Sequence, residues 1–412
     1  MPGLDVYDAI VVGARCAGAP TAMHLARRGR RVLLLDRATF PSDTLSTHYV
    51  SQAGVVYLNQ WGLLEEIQAS NCPPITRMTS DWGDFTLVGR PPPVEGAPAA
   101  YAPRRSVLDR ILIEAALRAG AELRERVTLE DLLWEDGRVV GVRARAGGGR
   151  SHVERARVVV GADGRNSTVA RLVGAPKYDD TPPLACQWFA YWGGFSTEGL
   201  ESYRRGRLML FGIPTNDGLT CVVTAMPRER FEAFRADAPG NYMRLIDLAP
   251  GLAARVRAGR REGPLFGTGD LPNFFRRSYG PGWALVGDAG NHKDPLTAQG
   301  IRDAFCDAER LAAAIDDGLN GRAPLEEALA EYERGRDERV RELYDHTCKV
   351  ARLPEPTEDD YRFRAALRGR QPDIDRYFGV GDGTVSPLEF FGPENTRRLL
   401  AAAGTPADAP AP

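Results

Sequence analysis

The chain has 412 residues, 43% of them hydrophobic, and its 53 basic and 55 acidic side chains leave a formal charge of −2. That length allows a large core, and the interspersed charges form no basic stripe of the kind that neutralises phosphates, so nucleic acid is not an expected partner. Six cysteines without a CxxC pair and five histidines without HxxxH or HExxH spacing point to neither a zinc site nor a disulfide framework, and no metal is expected.

The opening MPGLDVYD runs straight into an apolar stretch, with no basic segment and cleavage site before it, and no run reaches about 18 apolar residues. The expectation is a cytoplasmic protein without a membrane span. Residues 7–12 read as a buried parallel strand, 13–18 as a Gly-containing turn, 19–28 as a helix and 31–36 as a second strand, a βαβ opening. From 40 to 103 the pattern loosens. One helical stretch, 52–68, sits among breaks at Cys72-Pro73-Pro74 and Pro91-Pro92-Pro93, which suggests insertion loops near a substrate cavity.

Residues 106–119 carry Leu108, Ile111, Leu112, Ala115 and Ala116 at helical spacing, 127–145 alternate as strands around Asp136-Gly137, and 158–160 return to a buried strand. Between 182 and 276 strand-like runs dominate. The runs 208–213 and 220–225 join across Asn216-Asp217-Gly218 as a hairpin, so a second, sheet-based domain is predicted there. Residues 283–286 are strand-like, 300–316 helical, 324–350 a charged helix expected to be a solvated cover, and 405–412 a disordered tail.

Three constellations carry chemistry. The first is the turn Gly13-Ala14-Arg15-Cys16-Ala17-Gly18 between strand and helix, with Asp36 and then Arg37 closing the next strand. This is the context of a dinucleotide-binding turn. Gly13 permits the tight bend, Gly18 the close helix packing, the helix start attracts a diphosphate, and Asp36 can accept ribose hydroxyls. The fingerprint wants Gly where Arg15 stands, so Arg15 either spoils the site or lends its own donors to the diphosphate.

The second constellation is Val160-Gly161-Ala162-Asp163-Gly164-Arg165, a strand followed by an acidic turn. The third is Gly287-Asp288-Ala289-Gly290, followed by Asp294-Pro295-Leu296-Thr297-Ala298-Gln299-Gly300-Ile301. In this order the three resemble the nucleotide turn, the DG motif, and the GD motif with flavin-ring loop of the p-hydroxybenzoate hydroxylase-like FAD superfamily. That superfamily also holds flavin-dependent halogenases and geranylgeranyl reductases, and the resemblance covers residues 5–320.

The resemblance implies an α/β protein with a Rossmann-type FAD-binding domain (1–70, 100–180 and 278–320) interleaved with a mixed-sheet substrate domain (71–99 and 181–277). A C-terminal helical region (321–404) would follow. Asp288 would bond the ribityl chain, Asp163 would sit beside the cofactor and the nicotinamide approach, and Arg105 would lie over the FAD phosphates. Pro295, Ala298, Gly300 and Ile301 would meet the flavin ring. Physically, a helix starting at Gly300 aims free N–H groups at what precedes it, which suits an anionic reduced flavin.

The hydroxylases usually carry Gly where this chain has Ala298. The chain also lacks the Trp-x-Trp-x-Ile-Pro motif of the halogenases and the aromatic-x-Trp-x-Phe-Pro signature of the reductases. His48 and Tyr49, in the stretch where relatives pass a loop near the flavin, are candidates for acid, base or substrate anchor, and His292 and Lys293 flank the GD motif. Trp188, Tyr191 and Trp192 either line an aromatic pocket or belong to the core.

The expected activity is an FAD-dependent monooxygenase using NADH or NADPH and O2 on a small organic substrate, aromatic or polyketide-like, by a monomer or homodimer. The alternatives are an FAD-dependent reductase acting on an isoprenoid or other double bond, and a non-enzymatic FAD carrier.

Overall fold

A strand buried on both faces opens the described chain: β1 (Tyr7–Val12) leads through the turn 13–17 into α1 (Gly18–Arg27) and β2 (Val32–Leu35). The computed structural model describes residues 6–46 and 48–403, and the tail 405–412 lies outside them. Helices α2 (Gln52–Gln60) and α3 (Leu64–Ala69) precede β3 (Met78–Asp81) and β4 (Thr86–Gly89). Then α4 (Arg105–Arg118) leads to β5 (Glu122–Arg124), β6 (Val127–Glu135), β7 (Arg138–Ala146) and β8 (Ser151–Gly161).

After α5 (Thr168–Leu172) and β9 (Lys177–Thr181) come β10 (Ala185–Gly193), β11 (Leu200–Arg205), β12 (Leu208–Pro214) and β13 (Thr220–Pro227). Helices α6 (Phe231–Arg235), α7 (Ala238–Ile246) and α8 (Pro250–Ala258) return the chain to β14 (Arg260–Thr268). Short strands β15 (Asn273–Arg276), β16 (Tyr279–Gly280), β17 (Trp283–Leu285) and β18 (Asn291–His292) precede the long helices α9 (Gly300–Leu319) and α10 (Leu325–Ala351). The helices α11 (Glu358–Ala365), α12 (Gln371–Asp382), α13 (Pro387–Phe391) and α14 (Pro393–Ala403) follow.

The fold is mixed α/β. The first sheet has the order β16-β17-β8-β1-β2-β5, with β1 parallel to both β2 and β8, and β6 and β7 carried off β8 as an antiparallel extension. Apolar side chains on one face of β1 and β2 (Ala9, Val11, Val32, Leu34) pack with Leu25 of α1, Leu108 and Leu112 of α4 and Phe305 of α9. Those on the other face (Ile10, Val12, Leu33, Leu35) pack against Val139 and Val142. Cover on both faces is why the strand reads as continuously apolar.

The second sheet has the order β14-β10-β13-β12-β11-β3-β4, and a third joins β18, β15 and β9. Residues 71–99, read from sequence as loops, contribute β3 and β4, with β3 parallel to β11. The single helix expected over 52–68 is two, broken where Gly62 adopts φ 78°. Helices α6–α8 interrupt a region that reads as strands. Their apolar residues Phe234, Tyr242, Ile246, Leu252 and Val256 are spread through Arg-, Ala- and Pro-rich sequence, and they cover the outer face of the second sheet.

That cover settles the aromatic cluster. Trp188 stacks on Phe234 with ring centroids 5.3 Å apart, and Trp192 Nε1 donates to the Tyr242 hydroxyl at 3.3 Å, so both tryptophans belong to the outer core. Nor is α10 a solvated cover. Leu329, Tyr332, Val340, Leu343 and Tyr344 form a buried stripe, and the fully buried Arg336 donates through Nη2 to the Tyr178 hydroxyl (3.0 Å) and the Arg276 carbonyl (3.2 Å). Among the described residues no helix is long and apolar enough to cross a membrane, and no group of three or more side chains is placed to hold a metal ion.

Candidate active site

Gly13 adopts φ 102°, and a Cβ there would lie 2.4 Å from the Ala162 carbonyl oxygen, so this turn approaches the turn 161–164 only as glycine. Ala17 precedes α1 without a side-chain cap, the first turn of the helix has no acidic residue, and its first residues are buried. The Ala19 N–H donates to the Arg15 carbonyl (3.0 Å) and Pro20 has no N–H, so the Gly18 N–H, with no partner among the described residues, is what this buried helix start offers an anion. The Ala14 N–H donates to Asp36 Oδ2 (2.7 Å) and the Ala38 N–H to Oδ1 (2.8 Å), which fixes a carboxylate that still has lone pairs for hydroxyl donors. Arg37 is exposed, beside Arg126 and Arg145 in a shallow hollow of its own.

Arg15 lies in an ion pair: Nη1 meets Asp109 Oδ2 at 2.5 Å and Nη2 donates to Ser42 Oγ at 3.0 Å. Arg105 donates to the other oxygen of the same carboxylate through Nε (3.0 Å) and Nη2 (2.9 Å). The fully buried Asp109 thus gathers two guanidiniums and cancels one of their charges, leaving a net positive charge at the turn. Burial opposes the Arg105 charge, but Asp109 outweighs it and holds its pKa above the usual arginine value. Burial also pushes the Cys16 thiol up to about 12, so it stays protonated beside Asp109.

In the second turn, Asp163 accepts from Ser167 Oγ (2.5 Å) and the Thr168 N–H (2.6 Å), closing the start of α5, and burial raises its pKa. In the third, Gly287 adopts φ 59°, and a Cβ on it would lie 2.8 Å from the Ala17 Cβ, so this turn seats on the start of α1. Asp288 is exposed toward the groove, and its Oδ1 is the nearest atom, at 4.0 Å, to a Cβ placed on Gly300. The three turns and the start of α9 therefore converge on one groove.

Helix α9 begins at Gly300 with no side-chain cap. Gln299 donates instead to the Thr297 carbonyl (3.0 Å) and to the Gly381 carbonyl (2.8 Å), tying the loop to α12. Ala298 occupies the left-handed region at φ 55°, a conformation that glycine adopts freely. Ile301 packs half-buried on the main core. Beside the loop, Lys293 and Arg302 both pair with buried Asp303; burial would raise its pKa, but the two cations outweigh that and hold it well below the usual carboxylate range. His292 is buried and bonds through Nδ1 to the Pro272 carbonyl.

Between the second sheet and the C-terminal helices lies a mainly apolar cavity of about 400 Å³, a size suited to a small molecule. Met209, Phe211 and Val223 form its floor, Leu343 of α10 and Phe378 of α12 its roof, and residues 295–298 enter it from the groove. Tyr49 lines it and donates to Asp382 Oδ1 at 2.5 Å, an oxygen that also accepts the Gln52 N–H at 3.1 Å. Burial, and then Asp382, push the Tyr49 phenol well up, while burial raises Asp382 to about 6. Asp294 Oδ1 accepts from the Leu296 N–H (3.0 Å) and Gln187 Nε2 (3.3 Å), and burial raises this carboxyl to about 7. The second oxygen of each carboxyl is buried with no partner among the described residues.

His48 takes no part in the cavity wall. It is fully buried at φ 64°, lies parallel to the Tyr191 ring with centroids 5.5 Å apart, and bonds through Nε2 to the Tyr191 hydroxyl. Burial and then Arg105 pull its pKa down to about 3, so at neutral pH it is an uncharged imidazole with no acid proton to give. Sequence reasoning missed Asp109, Asp382 and Gln187. Only Asp109 left a signal, the four-residue spacing from Arg105 that places both on one helix face.

Residues 6–189 match the family model of the FAD binding domain. Among curated proteins, the digeranylgeranylglycerophospholipid reductase of Methanosarcina acetivorans is 28% identical over 361 residues, covering 84% of this chain and 83% of that protein. Among solved structures, the myxobacterial chondrochloren halogenase CndH has a TM-score of 0.78 at 24% identity, covering 97% of both chains. PqsL of Pseudomonas aeruginosa, a probable FAD-dependent monooxygenase, has a TM-score of 0.69 at 22% identity, covering 92% of this chain and all of its own. At these identities the two structures establish a shared fold.

Proposed function

The chain belongs to the p-hydroxybenzoate hydroxylase-like superfamily of FAD-dependent oxidoreductases, and on that premise we propose that it is a monooxygenase acting on a small organic substrate. The groove fits FAD. The Gly18 N–H at the start of α1 and the net positive charge of Arg15, Arg105 and Asp109 suit the diphosphate, Asp36 the ribose, and Asp288 the ribityl hydroxyls. The open space before Gly300 and the uncapped start of α9 suit the edge of the flavin ring. FAD held there would supply the redox chemistry, passing electrons from NADH or NADPH to O2. The balance is substrate, O2, reduced nicotinamide and a proton giving hydroxylated substrate, water and oxidised nicotinamide.

The observation that carries the reading is the mainly apolar cavity lined in part by residues 295–298 of the loop before Gly300. Excluding water there favours transfer of oxygen to substrate over its loss as peroxide. Within it, Tyr49 stays protonated and can orient a substrate oxygen, and the Asp294 carboxyl fixes Gln187 in the wall.

One observation favours a second reading, reduction of a carbon–carbon double bond. The Tyr49–Asp382 pair holds a proton at the cavity wall, as protonation of a reduced carbon would need, and the curated relative above is a reductase. The two readings separate under ¹⁸O2. FAD-loaded protein supplied with NADH or NADPH and a panel of phenols and unsaturated acids should give a product carrying one ¹⁸O atom. A product heavier by two hydrogens and free of ¹⁸O would replace the proposal with the reductase.

A further inference from the structure

The end of the cavity away from the 295–298 loop carries charge that the redox chemistry leaves unused. The register across β10, β13, β12 and β11 places Gln187, Ala225, Met209 and Arg204 in one row, and directly paired residues share a face. Gln187 bonds Asp294 beside the loop. Three strand spacings put Arg204 roughly 14 Å away, the reach of an extended chain of about a dozen bonded atoms.

Arg204 lines the cavity, donates through Nη2 to the Pro354 carbonyl at 2.5 Å, and has a buried Nε with no partner among the described residues. Arg364 on α11 also lines it. Its guanidinium stands 4.1 Å from the Trp82 ring centroid, Nη1 donates to the Asp360 carbonyl (3.0 Å) and Oδ1 (3.3 Å), and its Nε is likewise buried and unpartnered.

Burial and then Arg364 lower the pKa of Arg204, and Glu355, Asp360 and Tyr361 offset this only in part. Asp360 is also committed elsewhere, accepting the Thr357 N–H (3.0 Å) and Thr357 Oγ1 (2.8 Å) in the cap of α11. Lys349 adds a third cation at the exposed rim. Both guanidiniums line the same mainly apolar cavity, where an anion can accept from their fork of N–H donors.

We infer that the substrate is an amphiphile whose anionic oxygen group, a carboxylate or a phosphate, is held by Arg204 and Arg364, while its apolar body fills the cavity toward residues 295–298. This rests on the cavity being the substrate site and is independent of which reaction follows. Isothermal titration of the FAD-loaded full chain with decanoate, decyl phosphate and methyl decanoate tests it without turnover.

At low ionic strength at least one of the two anions should bind roughly tenfold or more tightly than the ester, and the tighter one identifies the head group. Arg204→Gln and Arg364→Gln should each bring that anion toward the ester and leave the ester unchanged, while Arg204→Lys keeps most of the preference. Added salt should weaken the anion alone. Anions and ester binding alike, variants that weaken the ester as much as the anion, or no binding of any probe would overturn the inference. None of these results would touch the ¹⁸O2 outcome, which reads the reaction separately.

Discussion

The proposed cofactor groove and the proposed substrate cavity share the loop 295–300 but are built on different terms. In the groove, glycine backbone is set close against its neighbours: Gly13 lies under the Ala162 carbonyl, Gly18 against the Gly13 carbonyl, and Gly287 against the Ala17 side chain. In the cavity, side chains from the second sheet, the 295–298 loop and helices α10–α13 each supply a patch of wall. A surface made of backbone tolerates almost no change at its glycines, whereas a surface made of apolar side chains can be refilled.

The largest effect should therefore fall in the groove. Gly13→Val places a side chain against the Ala162 carbonyl at φ 102° and should cost more than about 3 kcal/mol, with no FAD absorbance near 450 nm in the purified protein. Gly164, at φ 81° with nothing within 4 Å of a Cβ, is the contrasting case: Gly164→Ala should cost about 1 kcal/mol in thermal unfolding and keep the cofactor. Equal damage from both would remove the distinction between close approach and simple strain. Next in size, Asp288→Ala should weaken FAD binding by about 10- to 100-fold in a fluorescence titration.

What could be read from the sequence follows the same division. Close approach demands Gly at Gly13, Gly18 and Gly287, and the proposed cofactor contacts ask for an acid at Asp36 and Asp288, so those positions are visible in a single chain. Arg15, which broke the glycine pattern, is accommodated because Asp109, ninety-four residues on, pairs with it. The cavity left no such trace. Asp382 reaches Tyr49 across 333 residues, and Arg204 and Arg364 come from a strand of the second sheet and a C-terminal helix. Alternation marks Arg204 only as one face of a strand, and the apolar stripe of α10 is diluted by its many charges.

A pH-dependent test addresses the cavity side. Asp382 titrates at about 6 in the fold against 3.8 as its ordinary value, so between those values the folded chain keeps a proton that the unfolded chain has released. Stability then falls as pH rises from about 4 to about 6, by up to about 3 kcal/mol from this group, and is flat with respect to it outside that window. Asp382→Asn should remove that share of the slope while preserving the bond from Tyr49. An unchanged difference in melting temperature between pH 4 and pH 6 would mean that the carboxyl is ionised throughout.

The smallest effect is expected where groove and cavity join. Ala298→Gly relieves a left-handed alanine at φ 55° and should stabilise the protein by no more than about 1 kcal/mol, a small rise in melting temperature.

The account depends most on the groove holding FAD while the cavity beside it holds the substrate. Its most direct test is the flavin difference spectrum recorded as 1-decanol, an uncharged apolar probe, is added to the wild-type protein and to Met209→Trp, whose indole would fill the cavity floor. The account predicts full FAD content in both proteins and a shift of the band near 450 nm in the wild type alone. Loss of FAD from Met209→Trp, or the same spectral response in both proteins, would contradict it.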